Sequence, residues 1–457
     1  MSLVAFNCKG SLTSTRLQIF NFQFPVFNFQ SVALLLLLPP IAHAQRSFQI
    51  TLHPTNNNAV AIVWQAQSAT PPGGEVLVPQ FRVEQSPDLK TWTPINQWMT
   101  AALGQTFIVV DSNAPCAFYR VQALLDLQYA ELSGADLAHG ELAGSDFFGA
   151  NLFGTDLSGA ILTGAGLVAA DARFADFTRA DLTGANLFGA DAIFAKFDSG
   201  SLAGIDARFS TLEAASLFNV DLTGADFSSA TLSGAVLDFA LLKQTKLDDT
   251  TRIDSKPKRI WQIVNHDQTG ALLTNLDLSF ASLLDVNFTR AKFTGSDLTA
   301  SDLTGSDLRG ATFILANMRF VDFHQTRMDA TTQIDSKSRL AWQILNQTNA
   351  SWDFHSADLS SVWLVGANLV NANLTNALLN TSVLEQANLG GADLTGANCF
   401  RSDFFGAILT NANLTQAQFG SADFSNANLL NAITNGATFI GATFTNTIMP
   451  DGSIRNF

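Results

Sequence analysis

The chain has 457 residues, more than one ordinary domain needs, and only 14% of them are charged, with a net charge of −14. Its apolar residues make up 47% of the total and recur periodically, which excludes an intrinsically disordered chain. The acidic balance argues against general binding to a phosphate backbone. It leaves cations, basic partners and mimicry of nucleic acid open.

Residues 1–44 have the composition of an export signal. They contain two basic residues and no acidic one, and an apolar run at 32–38 precedes a small-residue site that ends at Ala44. This order predicts a secretory signal peptide that is cleaved after Ala44; an uncleaved anchor is the alternative. The run is too short to span a bilayer comfortably. We therefore expect no transmembrane segment in the mature chain and an exported protein, in the periplasm, at the cell surface or outside the cell.

Residues 45–124 alternate between apolar and polar positions, for example at 48–52 and 59–64, and turn-forming residues separate the runs. Several short strands with this spacing predict a small β-sandwich. The stretch FRVEQSPDLKTWTPI, followed by AFYRV, is similar to fibronectin type III-like modules of secreted bacterial proteins. Trp64 and Trp92 are candidates for its core, and an aromatic platform for carbohydrate is the functional alternative.

From residue 127 onward a large apolar residue recurs at every fifth position, and we call it the centre of its repeat. The residue two before each centre is small, mostly Ala, and the residue just before it is mostly Asp or Asn. Gly or another small residue often follows two positions after the centre. Nearly all centres are Leu, Phe or Met; the exceptions are Ala172, Ala192, Ala207, Cys399 and Thr434.

A period of five fits neither common element. On an α-helix the apolar stripe would drift around the axis, and on a β-strand successive centres would point to opposite faces. The period fits a backbone that turns once per repeat, because Gly, Asn, Asp and Ser are turn-forming residues. Four turns close a square coil of about twenty residues, and such coils stack about 4.8 Å apart, as in a solenoid.

Residues 125–449 resemble the pentapeptide-repeat family, whose motif is A(D/N)LxG. The resemblance implies a right-handed, four-sided β-helix. We therefore predict an all-β solenoid with two short helical inserts, preceded by the N-terminal β-sandwich. The sandwich would cap the first coil, whose edge would otherwise invite another strand.

The repeat is interrupted twice, with the same length and phase shift. LDDTTRIDSKPKRIWQIVN in the first interruption matches MDATTQIDSKSRLAWQILN in the second. This cassette resembles the helical insert of many pentapeptide-repeat proteins. We predict helices at 256–265 and 337–346, with Trp261 and Trp342 buried against the coil; a partner-binding helix is the alternative. The repeat region then comprises 125–247, 248–272 (cassette 1), 273–328, 329–353 (cassette 2) and 354–457, which includes a C-terminal cap.

The chain contains no sequence motif of a catalytic or cofactor site. It has no GxSxG, nucleotide-binding loop, HExxH or CxxC, and its His residues are scattered singly. Cys399 occupies a centre, where we expect an inert, buried thiol. We therefore predict that the protein is not an enzyme and that it holds no cofactor or metal.

Outward positions supply the candidate contacts. Asp136, Asp156 and Asp176 lie twenty apart and should stack in one column, either as a solvated acidic face or around a hard cation such as Ca²⁺. Phe174 and Phe194 either fold over the small centres before them, which we favour, or form an exposed patch. Trp363 precedes a centre, so we expect it to face solvent and to contact a partner.

These features predict a non-enzymatic, exported structural or interaction protein that presents a rigid acidic solenoid surface. Its partner would be an unknown protein or surface ligand, with no nucleic acid expected and a homodimer left open. A DNA-mimicking inhibitor of a type II topoisomerase is one alternative, which the family resemblance implies and the export signal disfavours. Carbohydrate or surface adhesion through the β-sandwich is another.

Overall fold

A computed structural model describes residues 2–8, 34–37, 48–54, 60–66, 80–86, 93–94, 99–100, 105–110, 116–124, 127–347 and 352–456. Up to residue 124 the description concerns strands and their pairing alone. The chain divides into two compact units. Unit 1 comprises Met1–Leu237 and Gln244–Ile253, and unit 2 comprises Asp238–Lys243 and Asp254–Phe457.

Before the repeats, the described residues form β1 (Ser2–Cys8), β2 (Leu34–Leu37), β3 (Phe48–Pro54), β4 (Val60–Ala66), β5 (Gln80–Ser86), β6 (Thr93–Pro94), β7 (Met99–Thr100), β8 (Gln105–Val110) and β9 (Cys116–Leu124). In one antiparallel sheet, β9 pairs with β1 and β5, β1 pairs with β2, and β5 pairs with β6 and β7. In a second, β4 pairs with β3 and β8. The β-sandwich, its fibronectin type III-like character and the signal peptide stay predictions. Ala44 and Trp92 lie outside the described residues.

In the repeat region the chain turns once every five residues. In the repeat of Leu152, the amide of Thr155 donates to the carbonyl of Leu152 at 3.0 Å and closes a four-residue turn. The third residue of this turn, Gly154, has φ +63°, a left-handed conformation that glycine tolerates best. The amide of Leu152 donates to the carbonyl of Asp171 in the next coil at 2.7 Å. Each turn is therefore closed locally and also bonded to the coil that follows it.

Four turns complete one coil, as the period predicts. Residues twenty positions apart bridge in parallel, for example Asp136 with Asp156 and Asp156 with Asp176. The centres and the small residues two before them point inward, so that Leu152 and Ala150 are both 0% exposed. This confirms the solenoid and the assignment of inside and outside positions.

The Asp or Asn before each centre has a structural role in its own turn. The side chain Oδ1 accepts the amide two residues later: Ala138 donates to Asp136 at 3.1 Å, and Phe153 donates to Asn151 at 3.1 Å. This amide sits at the outer edge of the turn, where no neighbouring carbonyl serves it, so a short side-chain acceptor satisfies it. The preference for Asp or Asn before the centres, which gives the chain much of its acidity, is therefore explained by the hydrogen bonding of the turn.

Both cassettes contain the predicted helix: α1 spans Ser255–Asn265 and α2 spans Ser336–Asn346. The backbone joins each cassette in the same way, because β10 (Thr231–Leu232) pairs in parallel with β11 (Arg252–Ile253), and Thr312 bridges Gln333 with the same offset. Neither helix, nor any other helix in the described part of the chain, has the length and apolar character that crossing a bilayer requires.

The two helices also end alike. The side-chain amide of Asn265 donates to the carbonyl of the centre Leu242 at 2.8 Å, and that of Asn346 donates to the carbonyl of the centre Phe323 at 2.7 Å. In each case the same amide also bonds the carbonyl of the cassette Trp. One sequence therefore adopts one local conformation twice, as its repetition predicts.

The predicted Trp rings share the anchoring with other side chains. Trp261 and Trp342 are intermediate in exposure, with most of each side chain covered, which agrees with the prediction that they are largely buried. Residues three apart share one side of a helix, whereas the Trp beside the buried position is rotated about 100° away. The Trp342 indole stays at the rim, where its Nε1 donates to the carbonyl of Thr326 at 3.1 Å. The side chains that the helices bury are Ile260, Ile263, Ser338, Ala341 and Ile344.

Stacked Phe columns line the last coils of unit 2, as predicted. The ring of Phe424 stacks between those of Phe404 and Phe444, with centroid distances of 5.0 and 5.6 Å. Phe419 stacks on Phe439 at 5.1 Å. The chain then turns back in a hairpin of β12 (Thr447–Ile448) and β13 (Ile454–Arg455).

The small position should be a steric requirement. Ala225 is 0% exposed, two residues before Phe227. Ala225→Leu should overpack the interior and lower the free energy of unfolding by about 1–3 kcal/mol. Thr223→Asp, at a nearby outward position, should change it by less than about 0.5 kcal/mol. Urea denaturation measures both, and equal losses would contradict the inside and outside assignment.

Candidate interaction surface

Aromatic side chains line one corner of the coil in unit 1. The rings of Phe174 and Phe194 stack with centroids 5.2 Å apart, and Phe153 contacts Phe174 at 5.3 Å. We call these three residues the aromatic ladder. The guanidinium of Arg173 lies 5.5 Å from the Phe153 ring centroid, a cation–π contact. The ladder nevertheless remains accessible, because Phe174 is 51% exposed and Phe194 is 52% exposed.

A second aromatic pair repeats this construction at the neighbouring corner. Phe188 contacts Phe209 at 5.2 Å, and Arg208 lies 5.5 Å from the Phe188 centroid. The cause is a repeated sequence: NLFG followed one coil later by DARF, which begins at residue 151 and again at residue 186. Phe153, this pair and both Arg residues were not predicted from the sequence, although the repeated segments could have revealed them.

Phe174 and Phe194 do not fold over the small centres before them, so that prediction is wrong. Both residues have φ +58°, in the left-handed turn position, and they project outward. Ala172 is itself only 3% exposed. The same two coils bury the large rings of Phe177 and Phe197, which stack at 4.9 Å and take up the interior volume. The exposed rings are therefore not needed to fill the core.

Two columns of carboxylates flank the ladder. Asp171 bridges Asp191 on the face before the corner, and Asp136, Asp156 and Asp176 stack on the face after it, as predicted. The Oδ1 of each accepts the amide two residues later, at 2.9 to 3.3 Å. The described residues contain no group of His, Cys, Asp and Glu placed to hold a metal ion. The predicted Asp and Phe contacts of unit 1 thus lie around one corner.

The negative charge around this corner is unevenly neutralised. Arg173 donates to both oxygens of Asp171, at 2.8 and 2.6 Å, and these hydrogen bonds lower the pKa of that carboxyl. Lys196 lies 3.6 Å from Asp176. Asp136 and Asp156 are exposed and form no ion pair with a described residue. Unpaired negative charge therefore concentrates at the first coils.

Two other predicted positions lie in unit 2. Trp363 is half-buried, and its indole Nε1 is buried without a hydrogen-bond partner among the described residues, so the expectation that it faces solvent is wrong for this group. Its role as a partner contact stays a prediction. Cys399 is 0% exposed, and burial raises the pKa of its thiol, which confirms a buried thiol.

An ion pair that sequence reasoning missed lies beside cassette 2. His324 Nδ1 and Asp322 Oδ1 are 2.6 Å apart, and the ring lies near the backbone of Val365, beyond the cassette. The hydrogen bond to Asp322 raises the pKa of His324, although burial opposes it, and the charge of Asp302 adds to the rise. The ring thus lies where segment 273–328 meets segment 354–457 within unit 2.

Replacing ladder rings with glycine should leave the fold intact. Phe174→Gly with Phe194→Gly removes ring stacking worth about 0.5–1.5 kcal/mol and relieves left-handed strain of about 1 kcal/mol per residue. The net change in unfolding free energy should stay within about 1 kcal/mol per site. The control Phe177→Ala should cost about 3–5 kcal/mol, because that ring is buried. If the double variant loses as much unfolding free energy as Phe177→Ala does, the ladder rings contribute to the core.

His324 should make the stability of unit 2 depend on pH. Its folded pKa lies above its unfolded value of about 6.5, so its contribution is complete below that pH and is lost as pH rises through the folded pKa. The denaturation midpoint of the wild type should decrease as the pH is raised from 6 to 9. In His324→Asn this decrease should be smaller. His355→Asn, at an exposed position, is the control. If His324→Asn has the same pH dependence of its midpoint as the wild type, the role assigned to His324 is refuted.

The family model for pentapeptide repeats matches residues 126–165, 166–204, 210–250, 269–305, 291–329, 353–396, 372–411, 382–420 and 422–452, more than half of the chain. No curated protein matches this chain significantly. Similar solved structures include HetL, a protein involved in heterocyst differentiation regulation from the cyanobacterium Nostoc sp. strain PCC 7120. HetL is 24% identical over 66% of this chain and 91% of its own, with a TM-score of 0.17.

Two further solved structures are similar to the chain. QnrB1, a plasmid-mediated fluoroquinolone resistance protein, is 19% identical over 44% of this chain and 90% of its own, with a TM-score of 0.23. Rfr23 from the cyanobacterium Cyanothece 51142 is 31% identical over 25% of this chain and 64% of its own, with a TM-score of 0.17. The repeats themselves, rather than these superpositions, carry the assignment: the chain belongs to the pentapeptide-repeat family.

Proposed function

We propose that this protein is a non-enzymatic, exported interaction protein and that its contact surface is the corner of unit 1 that carries the aromatic ladder. The observation that carries the proposal is the placement of Phe174, Phe194 and Phe209. All three occupy left-handed turn positions that suit glycine better, and they are 51%, 52% and 59% exposed. The fold does not need these rings, and stacked exposed aromatics are a feature of binding surfaces.

The charges around the corner favour a protein partner over mimicry of DNA. A DNA mimic needs an unbroken array of negative charge, whereas Arg173 and Arg208 pair with the carboxylates beside them, at 2.6 and 2.7 Å. Lys196 and Lys246 each lie 3.6 Å from a further Asp. The resulting surface mixes aromatic rings with both signs of charge, as protein interfaces do. The fluoroquinolone-resistance activity in the name of QnrB1 is therefore not the function that we propose for this chain.

Export follows from the composition of residues 1–44 and has its own test. N-terminal sequencing after cell fractionation should find the mature chain beginning at Gln45, outside the cytoplasm. A cytoplasmic protein that retains its first residues would contradict export, and it would revive the topoisomerase alternative, whose target is cytoplasmic.

The interaction itself is testable in an extract of the native host. Tagged wild-type protein should sediment as part of a larger complex, and Phe174→Gly with Phe194→Gly should sediment as free protein, because truncating central aromatic contacts weakens binding strongly. Leu315→Gly is the matched control, since Leu315 also has a left-handed φ of +58° and is 86% exposed, but lies in unit 2. Identical sedimentation of wild type and double variant would contradict the proposed surface.

A further inference from the structure

The first coils of unit 1 form the most one-sided charge environment in the repeat region. From residue 127 to residue 172 the chain contains no Lys or Arg. Its acidic residues there are Glu131, Asp136, Glu141, Asp146, Asp156 and Asp171. Asp171 is paired with Arg173, but the exposed Asp136 and Asp156 form no ion pair with a described residue. The face beside the aromatic ladder therefore carries uncompensated negative charge at Asp136 and Asp156.

This charge adjoins exposed aromatic surface. Phe153 occupies the position after the centre Leu152, and Asp156 lies three residues later, across the same turn. On the opposite side of the corner, Asp191 receives only a 3.7 Å contact from Arg173. A ligand lying along this corner would meet aromatic rings in the middle and carboxylates on both sides.

We propose that the occupant of this corner is a polypeptide segment of a partner protein that combines Lys or Arg with apolar side chains. This inference rests on the proposed function and names the partner's chemistry. Apolar side chains would cover the ladder, and cationic groups would reach Asp136, Asp156 and Asp191, where they would also meet the faces of the rings. The same carboxylates repel nucleic-acid phosphates and anionic lipid headgroups, so a basic polypeptide is the class that fits both features.

The carboxylates can be neutralised without disturbing their turns. Asn151 and Asn186 occupy equivalent positions and accept the same turn amide, at 3.1 and 3.0 Å. Asp136→Asn with Asp156→Asn should therefore remove charge and keep the backbone. Phe174→Gly with Phe194→Gly removes the rings at positions where glycine is the less strained residue. The two variants separate the electrostatic contribution from the aromatic one.

Isothermal titration calorimetry of the full chain with short synthetic peptides tests the proposal. The probes share one length and carry Lys with Phe, Glu with Phe, or Lys with Ser. Of the three peptides, Lys/Phe should bind the wild type best. It should bind Phe174→Gly with Phe194→Gly about tenfold more weakly. At low salt it should also bind Asp136→Asn with Asp156→Asn more weakly than the wild type. Leu315→Gly should bind as the wild type does.

Each other outcome overturns the inference. Equal binding of Glu/Phe would remove the requirement for a basic partner, and equal binding of Lys/Ser would remove the requirement for apolar groups. Undiminished binding to the Phe variant would place the site elsewhere, and no binding of any peptide would reject this chemistry. If the native complex still depends on Phe174 and Phe194, the proposed function stands and only the partner class fails.

Discussion

Every coil of the repeat region depends on a turn that closes within five residues and bonds to the coil after it. The carbonyl of Leu152 accepts the amide of Thr155, and the amide of Leu152 donates to the next coil. This leaves room inside for one large and one small side chain per turn, which explains why Ala stands two before most centres. The geometry of this turn therefore determines the packing of the interior, the backbone hydrogen bonds and the period of the sequence.

The same constraint prescribes much of the surface. A short side-chain acceptor satisfies the outer amide of a turn, so Asp and Asn recur before the centres. The third turn residue is left-handed, so Gly recurs after them. Many other residue types also occupy the left-handed position, but Phe174, Phe194 and Phe209 place large aromatic rings there that are more than half exposed and have no structural reason. The interaction surface is inferred from these exposed rings.

The period predicted the solenoid, the coil length and the Phe columns, because each follows from spacing and turn chemistry. The two helices were predicted from the repeated cassette and from its resemblance to the helical insert of the family. The fate of Phe174 and Phe194 could not be predicted, since it depends on how Phe177 and Phe197 fill the same coils. Spacing along α1 and α2 did not show which of their side chains are buried most deeply, and these include Ile263 and Ile344 rather than the Trp rings. The raised pKa of His324 depends in part on Val365, which only the fold brings close to it.

Hydrogen exchange of the full chain at residue resolution tests the central claim most directly. In the repeat around Leu152, four amides bond to backbone carbonyls, whereas the amide of Phe153 bonds only to the side chain of Asn151, on the outside of the coil. Exchange protection across the described coils should therefore have a period of five, with the fastest amide one position after each centre. A period near 3.6 or 2, or protection without any period, would contradict a backbone that turns once per repeat.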